Sequence, residues 1–173
     1  FEDKIIISKG HAASALYPIL SENKVIDQKD WNNWGKNEDT LLKVFGNIDI
    51  PGIDATSGSL GHGIGIGAGY AYSFKKRGLN TKVFVIISEG ELYEGSIWES
   101  LLFVNHYNLN NLHVIIDRNN LMILGETENC LKLEPIDKKM VSFGFETKTI
   151  DGHNFNEILK SYDEFFKENN NKC

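Results

Sequence analysis

Residues 83–87 read VFVII and residues 112–117 read LHVIID, with SIWESLLFVNHYN (96–108) between them. Both apolar runs are rich in β-branched residues and lack the alternation of a strand that keeps one face wet. The stretch between them is amphipathic at helical spacing. Two buried strands joined by a helix make a parallel βαβ unit. That unit sets the fold class as α/β, an open, mostly parallel sheet with helices on both faces.

On the N-terminal side, KIII (4–7) reads as a strand running into the turn SKGH (8–11). HAASALYPILSENK (11–24) follows as a helix, and DQKDWNNWGK (27–36) as a second, short helix capped by Asp27. The polar segment from Lys36 to Pro51 reads as a surface excursion. SLGHGIGIGAGYAYSFKKR (59–77) is long enough for a helix, with Gly61, Gly65 and Gly69 four apart on one face. An interior glycine costs about 1 kcal/mol against alanine, so close packing against another helix, from this chain or from another protomer, is expected to compensate. On the C-terminal side, PIDKKMVSFG (135–144) reads as a helix and FETKTID (145–151) as a strand. NFNEILKSYDEFFKE (154–168) is an amphipathic helix with Asn154 as N-cap and Phe155, Ile158, Leu159, Tyr162, Phe165 and Phe166 on its apolar stripe. The terminal KENNNKC reads as a frayed tail over 168–173, and residues 1–173 as one domain. The chain opens at Phe1 and is in a strand within a few residues, which is expected of a piece that starts inside a larger design.

A chain of 173 residues, 41% of them hydrophobic, is enough for one domain with its own core. Its net charge of -6 argues against a nucleic-acid surface. No apolar run approaches the roughly 20 residues that span a bilayer. Two cysteines, Cys130 and Cys173, are too few for a disulfide framework, so a reducing, cytoplasmic setting is expected.

The strand VFVII runs into ISEGELYEGSIWE (87–99), which places Glu89, Glu91, Glu94 and Glu99 after its end. Ligands of open parallel sheets gather at the carboxyl ends of strands, and two loops qualify: SEGELYEG (88–95) and RNNLMILGET (118–127). Magnesium takes hard oxygen ligands and completes its shell with substrate phosphates and water. Glu89, the Asn119 amide oxygen and a carbonyl near Leu121 would supply three ligands and leave room for a diphosphate. Gly90 would let the diphosphate approach closely, and amides at the helix start near Ser96 would face it. A cation would also account for so much acid around an anion. Spacing alone leaves a second reading open, in which the acids complement a helix dipole and Asn119-Asn120 is an ordinary turn.

The segments IIISKGHAASALYPIL (5–20), PGIDATSGSLGHG (51–63), SEGELYEGSIWES (88–100), NHYNLNNL (105–112), IIDRNNLMILGET (115–127) and FGFETKTIDGHNF (143–155) occur in one order across nearly the whole chain. Together they resemble the thiamine-diphosphate-binding half of transketolases. The resemblance implies a metal site at Glu89, Asn119 and the Leu121 carbonyl, with the family's Gly-Asp-Gly falling on Ser88, Glu89 and Gly90. It implies cofactor contacts at His11, Gly58, Ser59, Leu60, Gly90 and Glu94, with Glu91 and Asn119 in the same shell. Glu94 would join a carboxylate network between paired active sites. Without the resemblance, His11 reads as a capping or core histidine. His62 stands where many relatives carry glutamine and receives no role, and His106, His113 and His153 read as structural.

The implied function is transfer of a two-carbon ketol unit between sugar phosphates or related sugars, with thiamine diphosphate and Mg2+ or Ca2+ as cofactors. The resemblance also implies a second chain carrying the pyrimidine-binding domain, a dimeric assembly, and no activity without that partner or the missing domains. Four departures accompany it. Ser88 and Glu89 replace glycine and aspartate, and the longer Glu89 suits calcium's flexible shell better than magnesium's octahedron. A Gly-His-Pro segment is not evident in LLKVFGNIDIPG (41–52). The early Ser-Gly-His-Pro region would precede Phe1, and a later histidine would follow Cys173. The alternatives are a degenerate binding or scaffold module, or a 2-oxo acid dehydrogenase or decarboxylase component.

Overall fold

The computed structural model describes residues 3–36 and 42–167. Three parallel strands, β1 (Lys4–Ile7), β2 (Val83–Ser88) and β3 (Leu112–Asp117), pair in the order β1-β2-β3. Helices α1 (Ala13–Glu22), α2 (Gln28–Asn33) and α3 (His62–Lys76) lie between β1 and β2, and α4 (Gly95–His106) connects β2 to β3. A short hairpin, β4 (Leu121–Met122) with β5 (Gly125–Glu126), precedes α5 (Thr127–Cys130), α6 (Ile136–Ser142) and α7 (Phe155–Lys167).

The central strand explains the apolar run. Val83, Val85 and Ile87 are buried on the face covered by α3 and α4. Phe84 points the other way and stacks on Tyr162 of α7 at 5.0 Å, with Phe165 and Phe166 around it. A strand covered on both faces has no wet side to alternate with. His113, in register with Phe84, sits 4.4 Å from the Phe165 ring, and its burial lowers its pKa. It is a packing residue, as expected.

Helix α3 approaches the sheet through Gly63 and Gly67, which the sequence reading does not single out. A Cβ on Gly67 would lie 2.4 Å from Val85 Cγ2, and one on Gly63 would lie 2.4 Å from Ser8 Cβ. The stripe read from sequence faces elsewhere. Gly61 abuts Glu94 and Ser96 and Gly65 abuts Ser100, so their helical partner is α4 of the same chain, while Gly69 faces open space.

Three further expectations differ. Residues 145–151 form no strand; the segment is tied at its ends by Phe145 N donating to Met140 O and Asp151 N donating to Glu157. Its alternating pattern fits an edge position, but among the described residues β3 pairs only with β2. The segment after α2 is not a simple excursion. Leu42 and Ile50 are buried in a second core with Ala13, Tyr17 and Leu20, and the Tyr17 hydroxyl and Trp34 indole both donate to Lys43 O. Asp27 stands at the N-cap of α2, but its side chain makes no capping bond. Asn154 does cap α7, its Oδ1 accepting from Asn156 N and Glu157 N. The tail 168–173, with Cys173, lies outside the described residues, as do residues 37–41. No helix among the described residues is long and apolar enough to cross a membrane.

Candidate functional site at the carboxyl ends of the strands

Four segments converge at the carboxyl edge of the sheet: 8–11 after β1, 58–63 before α3, 88–95 after β2 and 117–122 after β3. The first two touch through their glycines. A Cβ on Gly10 would lie 2.7 Å from Phe45 Cδ1 and 3.3 Å from Gly58 N, and the His11 ring meets Phe45 edge-on at 5.5 Å. His11, Ser59 and Leu60 are exposed on this rim. Gly58 and Gly61 have φ of 128° and 78°, a region that glycine enters without strain. The loop therefore turns sharply toward Glu94 and the start of α4.

After β2 the chain enters a 3-10 turn, Glu89–Tyr93, with Ser88 as N-cap. Ser88 and Glu91 form a capping box, the Ser88 amide donating to Glu91 Oε2 at 2.8 Å and its hydroxyl to the same oxygen at 3.2 Å. Serine at this position thus has a local structural reason. Glu91 Oε1 also accepts from Gly61 N at 3.0 Å and from the Ser8 hydroxyl. This side chain is fully buried and ties the ends of β1 and β2 to α3. Its oxygens face protein donors.

Glu89 is buried too, with a different set of partners. Ser88 and Asp117 form the last registered pair of β2 and β3, so Glu89 and Arg118 leave the ladder side by side. Glu89 Oε1 accepts from Arg118 Nη1 at 2.8 Å, and Oε2 accepts from Asn120 N at 2.8 Å. Asn119 Oδ1 accepts from Leu121 N at 2.9 Å, an Asx turn around Asn120, whose φ is 64°. Glu89 is thus bonded to the turn that carries Asn119 and Leu121, the other two expected ligand positions. Carboxylate, amide and carbonyl oxygens suit a hard cation. Both Glu89 oxygens and the Asn119 oxygen are engaged by the protein, however, and among the described residues no group of three or more His, Cys, Asp or Glu side chains is arranged to hold a metal.

Sequence reasoning misses Arg118. The residue lies inside the DRN motif, yet reading the acid as metal ligands leaves it without a role. The guanidinium meets three carboxylates: Glu89 at 2.8 Å, Glu134 at 2.9 Å and Glu128 at 3.5 Å. Its Nη1 also donates to Thr127 Oγ1. Burial alone would lower the Arg118 pKa, but hydrogen bonds to Glu89 and Glu134 outweigh it and raise the value. Glu134 is held below the ordinary carboxylate range by the Ile136 amide, which outweighs its burial, with Arg118 assisting. The usable signal is a cation adjacent in sequence to the expected metal asparagine, beside an excess of acid. On the same edge, Lys9 pairs with Asp117.

The remaining expected residues lie on the rim. A Cβ on Gly90 would meet Met122 Cβ at 3.9 Å and Ser88 Oγ at 4.0 Å, ordinary contact distances, so the position is not crowded. Glu94 is exposed at the N-cap of α4 and makes no side-chain capping bond, and Glu99 is also exposed. His62, His106 and His153 are exposed.

Residues 2–172 match the family model described as transketolase, thiamine diphosphate binding domain. The chain is 34% identical over 160 residues to an apulose-4-phosphate transketolase subunit from Phocaeicola vulgatus, covering 92% of this chain and 57% of that protein. It is 32% identical to a 6-deoxy-6-sulfo-D-fructose transketolase subunit from Clostridium sp., covering 94% of this chain and 59% of that protein. The crystal structure of transketolase from Campylobacter jejuni superposes with a TM-score of 0.90 at 26% identity, over 98% of this chain and 28% of the other. The chain thus spans a little over half the length of the first two relatives and about a quarter of that transketolase.

Proposed function

This chain belongs to the transketolase family as a thiamine diphosphate-binding domain, and from that premise we propose that it is part of a split transketolase-like transferase. The assembled enzyme would move a two-carbon ketol unit between sugar phosphates or related sugars. The observation that carries the reading is the hydrogen bond from the Asn120 amide to Glu89, which ties that carboxylate to the Asx turn of Asn119 and Leu121 at the carboxyl edge, with Gly90 uncrowded next to it. Glu89, Asn119 Oδ1 and the Leu121 carbonyl would hold a Mg2+ or Ca2+ ion. Gly90, His11 and the loop Gly58, Ser59 and Leu60 would border the diphosphate, with Glu94 at the rim. Thiamine diphosphate, when bound, would supply the nucleophilic chemistry of ketol transfer. The residues of this chain contribute binding, orientation and charge. Glu91 supports them from beneath.

Two of the relatives are named as transketolase subunits, which supports a partner chain carrying the pyrimidine-binding half. The groove between α3 and α4, lined by Gly65, Gly69 and Phe103, with exposed Leu102 and Tyr107 beside it, supports a dimeric assembly on that face. A cytoplasmic setting fits the exposed free thiol of Cys130. A second reading, a binding module that has given up its cofactor, is favoured by one observation, the engagement of Glu89 by Arg118.

Calorimetric titration of thiamine diphosphate, with magnesium or calcium, into the chain assembled with its pyrimidine-binding partner separates the two. Saturable binding that depends on the cation is expected. A folded complex that binds nothing with either cation contradicts the transferase reading.

A further inference from the structure

Glu89, Glu128 and Glu134 surround one guanidinium, so three negative charges meet one positive charge and leave a formal excess of minus two. That excess matches the charge of a divalent cation. Every edge of the guanidinium is in use. Nη1 serves Glu89 and Thr127, Nε serves Glu134, and Nη2 serves Glu134 and Glu128. Releasing Glu89 would cost Arg118 one carboxylate of three, and the two contacts to Glu134 would still hold the fork in place.

We propose that Arg118 is a built-in competitor for the divalent cation at Glu89. This rests on the thiamine diphosphate reading above. The guanidinium keeps the buried carboxylate neutralised before cofactor arrives, which an isolated Glu89 could not achieve at 1% exposure. A cation brought in with a diphosphate then takes Glu89, while Arg118 stays on Glu134 and Glu128. The apparent cation affinity is lowered by the strength of the Glu89–Arg118 pair, because a cation can bind only the fraction of molecules in which that pair is open. The longer side chain of glutamate fits this arrangement. It lets one oxygen reach Arg118 while the other reaches the Asn120 amide.

The test is Mn2+ binding to the chain assembled with its pyrimidine-binding partner, measured as loss of the free-ion electron paramagnetic resonance signal, with and without thiamine diphosphate. Arg118→Gln removes the charge and should tighten Mn2+ binding by at least about tenfold. Lys9→Gln removes a positive charge on the same edge that does not touch Glu89, and should change affinity by less than about twofold. Equal effects of the two variants would reduce Arg118 to general electrostatics and overturn the proposal. Arg118→Lys keeps the charge without the fork and should fall between wild type and Arg118→Gln. If Arg118→Gln does not fold, an Arg118→Lys affinity no higher than wild type overturns the proposal. Wild-type binding that no Arg118 substitution strengthens overturns the competitor role and leaves the cofactor reading standing. Absence of binding in every variant with thiamine diphosphate present overturns both.

Discussion

Glu89 and Glu91 are two residues apart, both buried and both at the end of the same strand, yet their surroundings differ in kind. Glu91 is surrounded by neutral donors from three segments, Ser8, Gly61 and Ser88. Glu89 is held by one guanidinium and one backbone amide. A carboxylate satisfied by fixed backbone donors is part of the scaffold, because its removal strands those donors inside the protein. A carboxylate satisfied by a side-chain cation with other partners can be handed over. Burial alone would have given both residues one role.

The strongest way to break this contrast is at the scaffold end. Glu91→Ala leaves the Gly61 and Ser88 amides and the Ser8 hydroxyl unmet, and should cost ~3 kcal/mol or more at about 1 kcal/mol or more for each donor. Urea denaturation of the folded chain measures it, and a loss under ~1 kcal/mol would remove Glu91 from the scaffold. Gly63→Ala attacks the same hub from α3, since its Cβ would lie 2.4 Å from Ser8 Cβ. Overpacking of this kind costs ~1–3 kcal/mol, partly offset by alanine's better helix propensity. Glu89→Gln should cost less, ~1–2 kcal/mol in thermal or urea unfolding, because Arg118 keeps Glu128 and Glu134. The same variant should abolish cation binding, and a stability loss larger than that of Glu91→Ala would invert the contrast.

The smallest effect is in acid. Glu134 has its folded pKa below its unfolded value, so its contribution is present above about pH 4.3 and is lost as pH falls through the folded pKa. Glu134→Gln should therefore flatten the acid limb of the stability profile below about pH 4.3 and leave the limb above it unchanged. Unaltered steepness in that window would detach Glu134 from the cluster.

Much of this organisation is legible in the sequence. The strands read at 83–87 and 112–117 declare themselves through β-branched-rich runs without alternation, and α7 through its aromatic stripe with Asn154 at its cap. The segment 145–151 misleads because alternation reports a half-buried pattern and not the presence of a pairing partner. Gly61, Gly65 and Gly69 draw the eye ahead of Gly63 and Gly67, since helical spacing identifies faces but not which face meets the sheet. At the site, sequence singles out both Glu89 and the turn 119–121 to which it is bonded. It does not supply the identity of the cation nearest Glu89. That depends on register: Ser88 opposite Asp117 puts Arg118 beside Glu89, and register follows from packing across the whole sheet.

The most direct test is a crystal structure of the assembled protein with Mn2+ and thiamine diphosphate, with the ion located by its anomalous signal. The exchange of Glu89 between two cations predicts a peak bound by Glu89, Asn119 Oδ1 and the Leu121 carbonyl, with Arg118 withdrawn onto Glu134 and Glu128. A bound cofactor whose ion lies elsewhere, with Glu89 still paired to Arg118, would contradict it.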